Sequence, residues 1–383
     1  MIKIGIIGLG NIGLAHAKTI FSGQVAGLTL AAICDIDPAK KEVAESLFPG
    51  VAFFDTYEKL LTTAIDGVIL SVPHPLHAQL AIEAFREKKH VLVEKPADIT
   101  VSKARSMNAA AGDQVFGIMF NQRTGNLFRK ARQIVQSGRL GQLKRSDWII
   151  TNWYRTQHYY DSGDWRATWA GEGGGVLMNQ APHQLDLWQW ICGMPEAVYA
   201  LCETGKYHNI QVEDEVRILA RFPGGATGSF TTSTGEFPGT NRLEIVGTLG
   251  KLVLEEGKLK WWRLQEDERT FCQTCNEDYS KIPFSYEETE HIPTQGHKLI
   301  LQNFADAILK GTPLLAPGTE GIHALTIQNA AYLSAWTDSW VTIPFDEQEY
   351  DRQLASRQTE PIAKSTGKAD EHQRYSQRWQ INW

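Results

Sequence analysis

Lys3-Ile4-Gly5-Ile6-Ile7 is a strand-forming run that passes straight into Gly8-Leu9-Gly10-Asn11-Ile12-Gly13-Leu14. A strand, a glycine-rich turn and a helix beginning near Leu14 give this glycine spacing its physical meaning. Gly8 permits the tight turn, Gly10 lets the backbone come close to a pyrophosphate, and Gly13 lets the helix pack against the strand. The phosphates then lie on the helix N-terminus, with Asn11 and Ile12 of the same turn counted among the contacting residues. A dinucleotide is therefore expected on Gly8, Gly10, Asn11, Ile12 and Gly13.

About 20 residues beyond the glycines, Asp35 ends a second strand, where a carboxylate accepts hydrogen bonds from an adenosine ribose. Ile36 and Asp37 follow it, so no arginine stands ready for a 2′-phosphate, and NAD is expected rather than NADP. Capping a helix ahead of Pro38 is the other role open to Asp35.

Outward from this motif, short apolar runs alternate with helical patterns as far as Arg123, the rhythm of parallel strands joined by crossover helices. The strands read as 3–7, 28–34, 51–54, 67–72, 90–93 and 115–120, with helical spacing in segments such as 39–47 and 77–88. Six strands in this order predict a doubly wound, Rossmann-type sheet whose ligand crevice lies beyond the carboxyl ends of the strands. After Arg123 come a helix over 127–137 and strand alternation at 215–222, 227–233, 243–246 and 251–254. All twelve tryptophans fall at or beyond Trp148, which supports a boundary near 121–126. The expected organisation is an α/β cofactor domain over 1–123 and an α+β domain over 124–383 with a large open, mostly antiparallel sheet. That second domain ends in a polar arm from about residue 347.

A chain of 383 residues with 42% hydrophobic and 21% charged residues suits two globular domains. No apolar run approaches the roughly 18–20 residues of a membrane-spanning helix, and the glycine pattern of the apolar start argues for a strand rather than a signal peptide. The net charge of −6 argues against a nucleic-acid partner. Five cysteines spread through the chain fit a reducing compartment, so the expected location is the cytoplasm. Cys272-Gln-Thr-Cys275 is half of a zinc set, and no second pair completes it. His74 and His77, three apart, likewise lack a carboxylate cluster, and no metal is expected.

His90-Val-Leu-Val-Glu94-Lys95-Pro96 is a buried strand that ends in a charged pair, on the side where the cofactor belongs. Together with Val68–Pro73, His77 and the segment Gly173–Gly193, it resembles the glucose-fructose oxidoreductase and inositol dehydrogenase (Gfo/Idh/MocA) family over essentially residues 1–345. Further matches in the family's order are Asn121-Gln-Arg123, Trp165-Arg166, Val212-Glu-Asp-Glu and Glu244-Ile-Val-Gly247-Thr-Leu-Gly250. The resemblance implies that Lys95 lies near nicotinamide and substrate, that His183 acts in proton transfer, and that Asp186 binds a substrate hydroxyl. It also implies that Ser71, Val72, Pro73, His74, His77, Glu94, Asn121 and Arg123 line the cofactor cleft, and that the chain forms a homodimer or homotetramer.

Gly173–Gly193 reads as a glycine-rich entry, a helix and a glycine terminator. At about 100° per residue, Asn179, His183 and Asp186 share one stripe, although Pro182 allows Asn179 to be the N-cap instead. The family commonly carries an aspartate where Asn179 stands. An asparagine can orient an imidazole but supplies no charge to it.

The stretch from Asn152 to Arg166 mixes rings with hydrogen-bonding groups, which suits the apolar face and hydroxyl rim of a sugar. Trp153, Tyr154, Arg155, His158, Trp165 and Arg166 are the candidates for contacting a small carbohydrate. The leading expectation is a dehydrogenase of a sugar, sugar derivative or polyol. An NAD-dependent glycosidase working by transient oxidation and a silent dinucleotide-binding regulator stay open.

Overall fold

The computed structural model describes residues 1–163 and 165–359. It divides into two compact units: Met1–Thr124, Gly171–Gly173 and Gln295–Leu325 in the first, and Gly125–Ala170, Gly174–Thr294 and the chain from Thr326 in the second.

In the first unit, β1 (Ile2–Ile7), β2 (Leu28–Cys34), β3 (Ala52–Phe54), β4 (Gly67–Leu70), β5 (His90–Val93) and β6 (Phe116–Ile118) form one sheet. Its order is β3-β2-β1-β4-β5-β6 and every pairing is parallel. Ile4, Ile6, Ile69, Val91 and Val93 are wholly buried, as a parallel sheet covered on both faces requires. The helices between the strands are α1 (Asn11–Phe21), α2 (Ala39–Leu47), α3 (Tyr57–Leu61), α4 (His77–Arg86) and α5 (Val101–Ala110). β4 and β6 are shorter than the expected runs 67–72 and 115–120, because the last residues leave the sheet to build loops at its carboxyl edge.

In the second unit, α6 (Asn126–Gln136), α7 (Gln157–Asp161), α8 (Val176–Asn179), α9 (Pro182–Cys192) and α10 (Glu268–Thr274) accompany a nine-stranded sheet. Its strands are β7 (Leu143–Ile150), β8 (Ala197–Thr204), β9 (Glu213–Arg221), β10 (Thr227–Ser233) and β11 (Asn241–Gly247), then β12 (Gly250–Glu255), β13 (Lys258–Leu264), β14 (Phe284–Glu290) and β15 (Val341–Thr342). The order is β14-β13-β12-β11-β7-β10-β9-β8-β15, antiparallel except where β7 meets β10. One face packs through Trp148, Trp188, Phe128 and Phe230, whose rings touch. On β9 the alternate residues Arg217, Leu219 and Arg221 are exposed, so the strand has one buried and one open face.

The remaining helices are α11 (Gly296–Lys310), α12 (Gly321–Thr337) and α13 (Glu347–Gln358). The stretch 124–383 is not one continuous domain, since 295–325 returns to the first unit. There Phe304 of α11 packs beside Gly117, and Ala316 O accepts from Ile118 N, which covers the edge strand β6. The polar arm from 347 begins as a packed helix, in which Tyr350 is buried and stacks on Trp336 at 5.4 Å. Residues 360–383 lie outside the described residues. Among the described residues, no helix is long and apolar enough to cross a membrane.

Candidate active site

The glycine turn after β1 has the shape a pyrophosphate needs. Gly8 has φ of 92°, and a Cβ there would stand 2.4 Å from Ser71 O. A Cβ on Gly13 would meet Gly8 O at 1.9 Å, whereas one on Gly10 would meet nothing within 4 Å. The turn thus closes tightly at Gly8 and Gly13 and leaves space at Gly10. The helix starts at Asn11, three residues before the expected Leu14, and no side chain caps its first amides. Uncapped amides beside an open glycine form an anion site, so the cradle fits a dinucleotide.

Asp35 accepts from Leu9 N at 2.6 Å and from Asp37 N at 2.9 Å. Its carboxylate is tied to the glycine turn, and each oxygen keeps a lone pair for a ribose hydroxyl. It is Asp37, not Asp35, that bonds the first residue of α2, accepting from Ala39 N at 2.9 Å.

β4 lies between β1 and β5, all three parallel, so Ser71–Pro73 and Glu94–Pro96 emerge at the same carboxyl edge as the glycine turn. This edge is the switch point of a doubly wound sheet. His16 of α1, 1% exposed, places Nε2 2.8 Å from Glu94 Oε1, and Glu94 Oε2 accepts from Lys95 N at 3.3 Å. The helix that starts the cofactor cradle is thereby bonded to the loop carrying Lys95. Burial pushes the Glu94 carboxyl up, but the hydrogen bond from His16 and the attraction of the neighbouring basic groups outweigh it, and the net shift is downward. His297 of α11 lies 5.8 Å from His16 ring to ring and 3.4 Å from Asn121 Nδ2. Burial pushes it down to about 4, so at neutral pH it is uncharged.

Two of the expected cofactor-contacting side chains serve the protein instead. His77 is fully buried, with Nδ1 2.7 Å from Pro96 O and Nε2 3.0 Å from Val72 O, which leaves no ring nitrogen for a ligand. It pins the loop after β5 to the loop after β4. Arg123, 1% exposed, pairs with Glu320, bonds Leu315 O at 3.3 Å and stacks on Phe120. Its charge holds the returning segment against β6, a pairing across nearly two hundred residues that no local pattern announces. His74 is buried beside His77, with Nδ1 3.1 Å from Glu172 O.

In the second unit, the continuous helix expected from Asn179 to Asp186 is broken. Asn179 ends α8, Gln180 and Ala181 form a turn, and Pro182 opens α9 with Ala181 as its N-cap. Proline has no N–H to continue the ladder, so the helix must restart there. Asn179 is therefore not the N-cap. His183 is the second residue of α9 and 6% exposed, while Asp186 is buried and accepts from Gln189 Nε2 at 3.1 Å.

Arg166 is buried between the rings of Tyr159, at 4.8 Å, and Trp165, at 4.6 Å. The Tyr159 hydroxyl is within hydrogen-bond distance of Arg166 Nη1 and of Gln180 Nε2, which brings the aromatic segment to the turn between α8 and α9. Tyr159 was not among the sequence candidates, because nothing in its spacing links it to Gln180. Arg155 lies over the same ring at 5.1 Å and donates to the carbonyls of Trp153 and Tyr154. Trp153 donates to Thr232 Oγ1, whereas Tyr154 is exposed against Phe237 and His158 is exposed. His208 was also missed. It bridges Asp214 and Arg155 O, each at 2.9 Å, and so fixes this segment.

Residues 2–118 match the model of the oxidoreductase family with an NAD-binding Rossmann fold, and residues 128–253 match the GFO/IDH/MocA C-terminal domain. The chain belongs to the GFO/IDH/MocA family of oxidoreductases. A levoglucosan dehydrogenase from Pseudarthrobacter phenanthrenivorans is 25% identical over 394 residues, covering 90% of this chain and 98% of that protein. An inositol 2-dehydrogenase from Rhizobium meliloti is 24% identical over 87% of this chain and 96% of its own length. The WlbA dehydrogenase of Bordetella pertussis, solved with NADH and UDP-GlcNAcA, superimposes with a TM-score of 0.75 at 25% identity, over 90% of this chain and 98% of that one. Among the described residues, no group of three His, Cys, Asp or Glu side chains is placed to hold a metal ion.

Proposed function

We propose that this oxidoreductase is an NAD-dependent dehydrogenase of a sugar, sugar derivative or polyol. The observation that carries it is the shared sheet edge in the first unit: the open glycine cradle and Lys95 emerge side by side, tied by the His16–Glu94 hydrogen bond. Gly8–Gly13 and Asp35 hold the dinucleotide, which when bound supplies or accepts a hydride at its nicotinamide. Lys95 presents its ammonium to the substrate oxygen and stabilises negative charge developing there. His183 takes the hydroxyl proton on oxidation and returns it on reduction. Asp186, Arg166 and Trp165 orient the hydroxyls and the ring of the substrate. The carboxylate of Asp35 repels a 2′-phosphate, which supports NAD over NADP.

The test is a screen of sugars and polyols with NAD and with NADP, following absorbance of the reduced cofactor, alongside titration of both reduced cofactors by tryptophan fluorescence. Reduction of NAD by a polyhydroxylated substrate, with tighter binding of NADH than NADPH, is expected. Release of a free sugar without net NADH would replace the dehydrogenase with a glycosidase, and tighter binding of NADPH would overturn the cofactor assignment. The open sheet face of the second unit supports self-association into a dimer or tetramer. Light scattering that gave a stable 42.9 kDa monomer at micromolar concentration would refute it.

A further inference from the structure

The second unit contains a buried carboxylate that no step above uses. Glu213, at the start of β9, is completely buried. Its Oε1 accepts from Leu177 N at 3.0 Å and from the Tyr332 hydroxyl at 2.7 Å, and its Oε2 accepts from Gly175 N at 2.9 Å. Gln328, one turn before Tyr332 on α12, donates to Leu177 O. Both polar groups of the Leu177 backbone are thus held by side chains from outside α8. The glycines before α8 fit closely around the same group: a Cβ on Gly174 would stand 2.0 Å from the Tyr332 hydroxyl, and one on Gly175 2.0 Å from Glu213 O. Four residues make too short a helix to hold itself, so its position comes from these contacts.

We infer that Glu213, held by Tyr332, is a positioning residue whose ionised carboxylate anchors α8 and so sets where α9 presents His183. Three donors converge on it, and only the ionised group can accept from all three on both oxygens. A protonated carboxyl keeps the two bonds to Oε1 and weakens the one from Gly175. The titratable groups facing it are Tyr332 on α12, Cys202 on β8 and Tyr350 on α13, all themselves pushed up, burial first and the Glu213 charge with it. Burial raises Glu213 to about 7, against the lowering effect of its hydrogen bonds. The folded protein therefore loses stability from this group as pH rises from its ordinary 4.5 towards 7, yet gains a tighter α8 over the same range. Ionising this carboxylate costs stability, so what the charge contributes is the position of α8.

The kinetic consequence rests on His183 as the proton-transfer group, but the anchoring itself does not. Amide hydrogen exchange of residues 174–180 in the full-length wild type, corrected for intrinsic rates, is expected to slow as pH rises through about 7. Glu213→Gln should exchange fast at every pH. Tyr332→Phe, which keeps the ring, should exchange faster than wild type and provides the test if Glu213→Gln does not fold. With an active substrate, both variants should lose turnover, by about 10²-fold for Glu213→Gln, while NADH affinity stays within twofold of wild type. Protection that does not vary with pH, together with wild-type exchange in either variant, would overturn the inference. Altered exchange with no turnover on any sugar or polyol would leave the anchor standing and count against the dehydrogenase reading alone.

Discussion

His16 and Glu94, 78 residues apart in the chain, meet at 2.8 Å in the interior, one on the helix that follows the glycine turn and the other directly before Lys95. The carboxyl of Glu94 has its pKa lowered in the folded protein, so its contribution to stability is present above the ordinary 4.5 and is lost as pH falls through the lower folded value. Glu94→Gln should flatten the loss of thermal stability below about pH 4.5. His16→Ala leaves a buried carboxylate short of a donor and should cost about 1.5–3 kcal/mol at pH 7. Thermal midpoints between pH 3 and 8 test both, and an acid slope unchanged in Glu94→Gln would refute the assignment.

His297, a base, loses stability in the same direction as Glu94 but over a higher pH range. Its folded pKa is depressed to about 4, mainly by burial, while its ordinary value is 6.5. The unfolded chain then binds the extra proton first, and stability falls as pH drops from 6.5 towards 4. A ring-proton titration by NMR should show no protonation of His297 above about pH 5, and His297→Gln should flatten this part of the stability curve. A ring titrating near 6.5 would show that the site is wetter than the burial implies.

Gly10 and Gly13 make opposite predictions although both belong to the cradle. Gly10→Ala adds a methyl group where nothing lies within 4 Å, at a φ of −67°, so the fold should be unaffected while NADH binding weakens at least tenfold. Gly13→Ala drives a methyl group to 1.9 Å from Gly8 O and should destabilise by about 1–3 kcal/mol or more. Melting curves and fluorescence titration separate the two. Wild-type NADH affinity in Gly10→Ala would mean that no phosphate approaches there.

His183→Ala should lower turnover about 10²–10⁴-fold while cofactor binding stays near wild type. Lys95→Ala should be at least as harmful. Asn179→Asp places a carboxylate at the end of α8, four residues before the histidine in the chain, and should move the acidic limb of the pH–rate profile upward. If His183→Ala keeps normal turnover across pH, the proton passes through another group, and Tyr159, bonded to Arg166 and Gln180, is the next candidate.

The parallel sheet of the first unit was legible over residues 1–123 because its information is local, whereas the return of 295–325 to that unit was not. Strand-forming runs, glycine spacing and an acidic residue at a strand end are each written in a few adjacent residues, and burial on both faces of a parallel sheet makes those runs plain. Lys95 and His183 were nominated by the family resemblance, and their surroundings could not be read from the sequence. Pro182 signalled a helix boundary without saying that the chain turns at Gln180 and Ala181. The role of His77 turned on two carbonyl oxygens, Val72 and Pro96, that carry no side-chain signal. Arg123 finds Glu320, and Glu213 finds Gly175, Leu177 and Tyr332, only once distant segments pack. Backbone periodicity is a property of neighbours in the chain, whereas a buried charge must pair with whatever the folded interior brings within 3 Å of it. The strands of the first sheet and the glycine turn therefore follow from the order of residues, and the anchoring of the loops and of α8 is decided by tertiary packing alone.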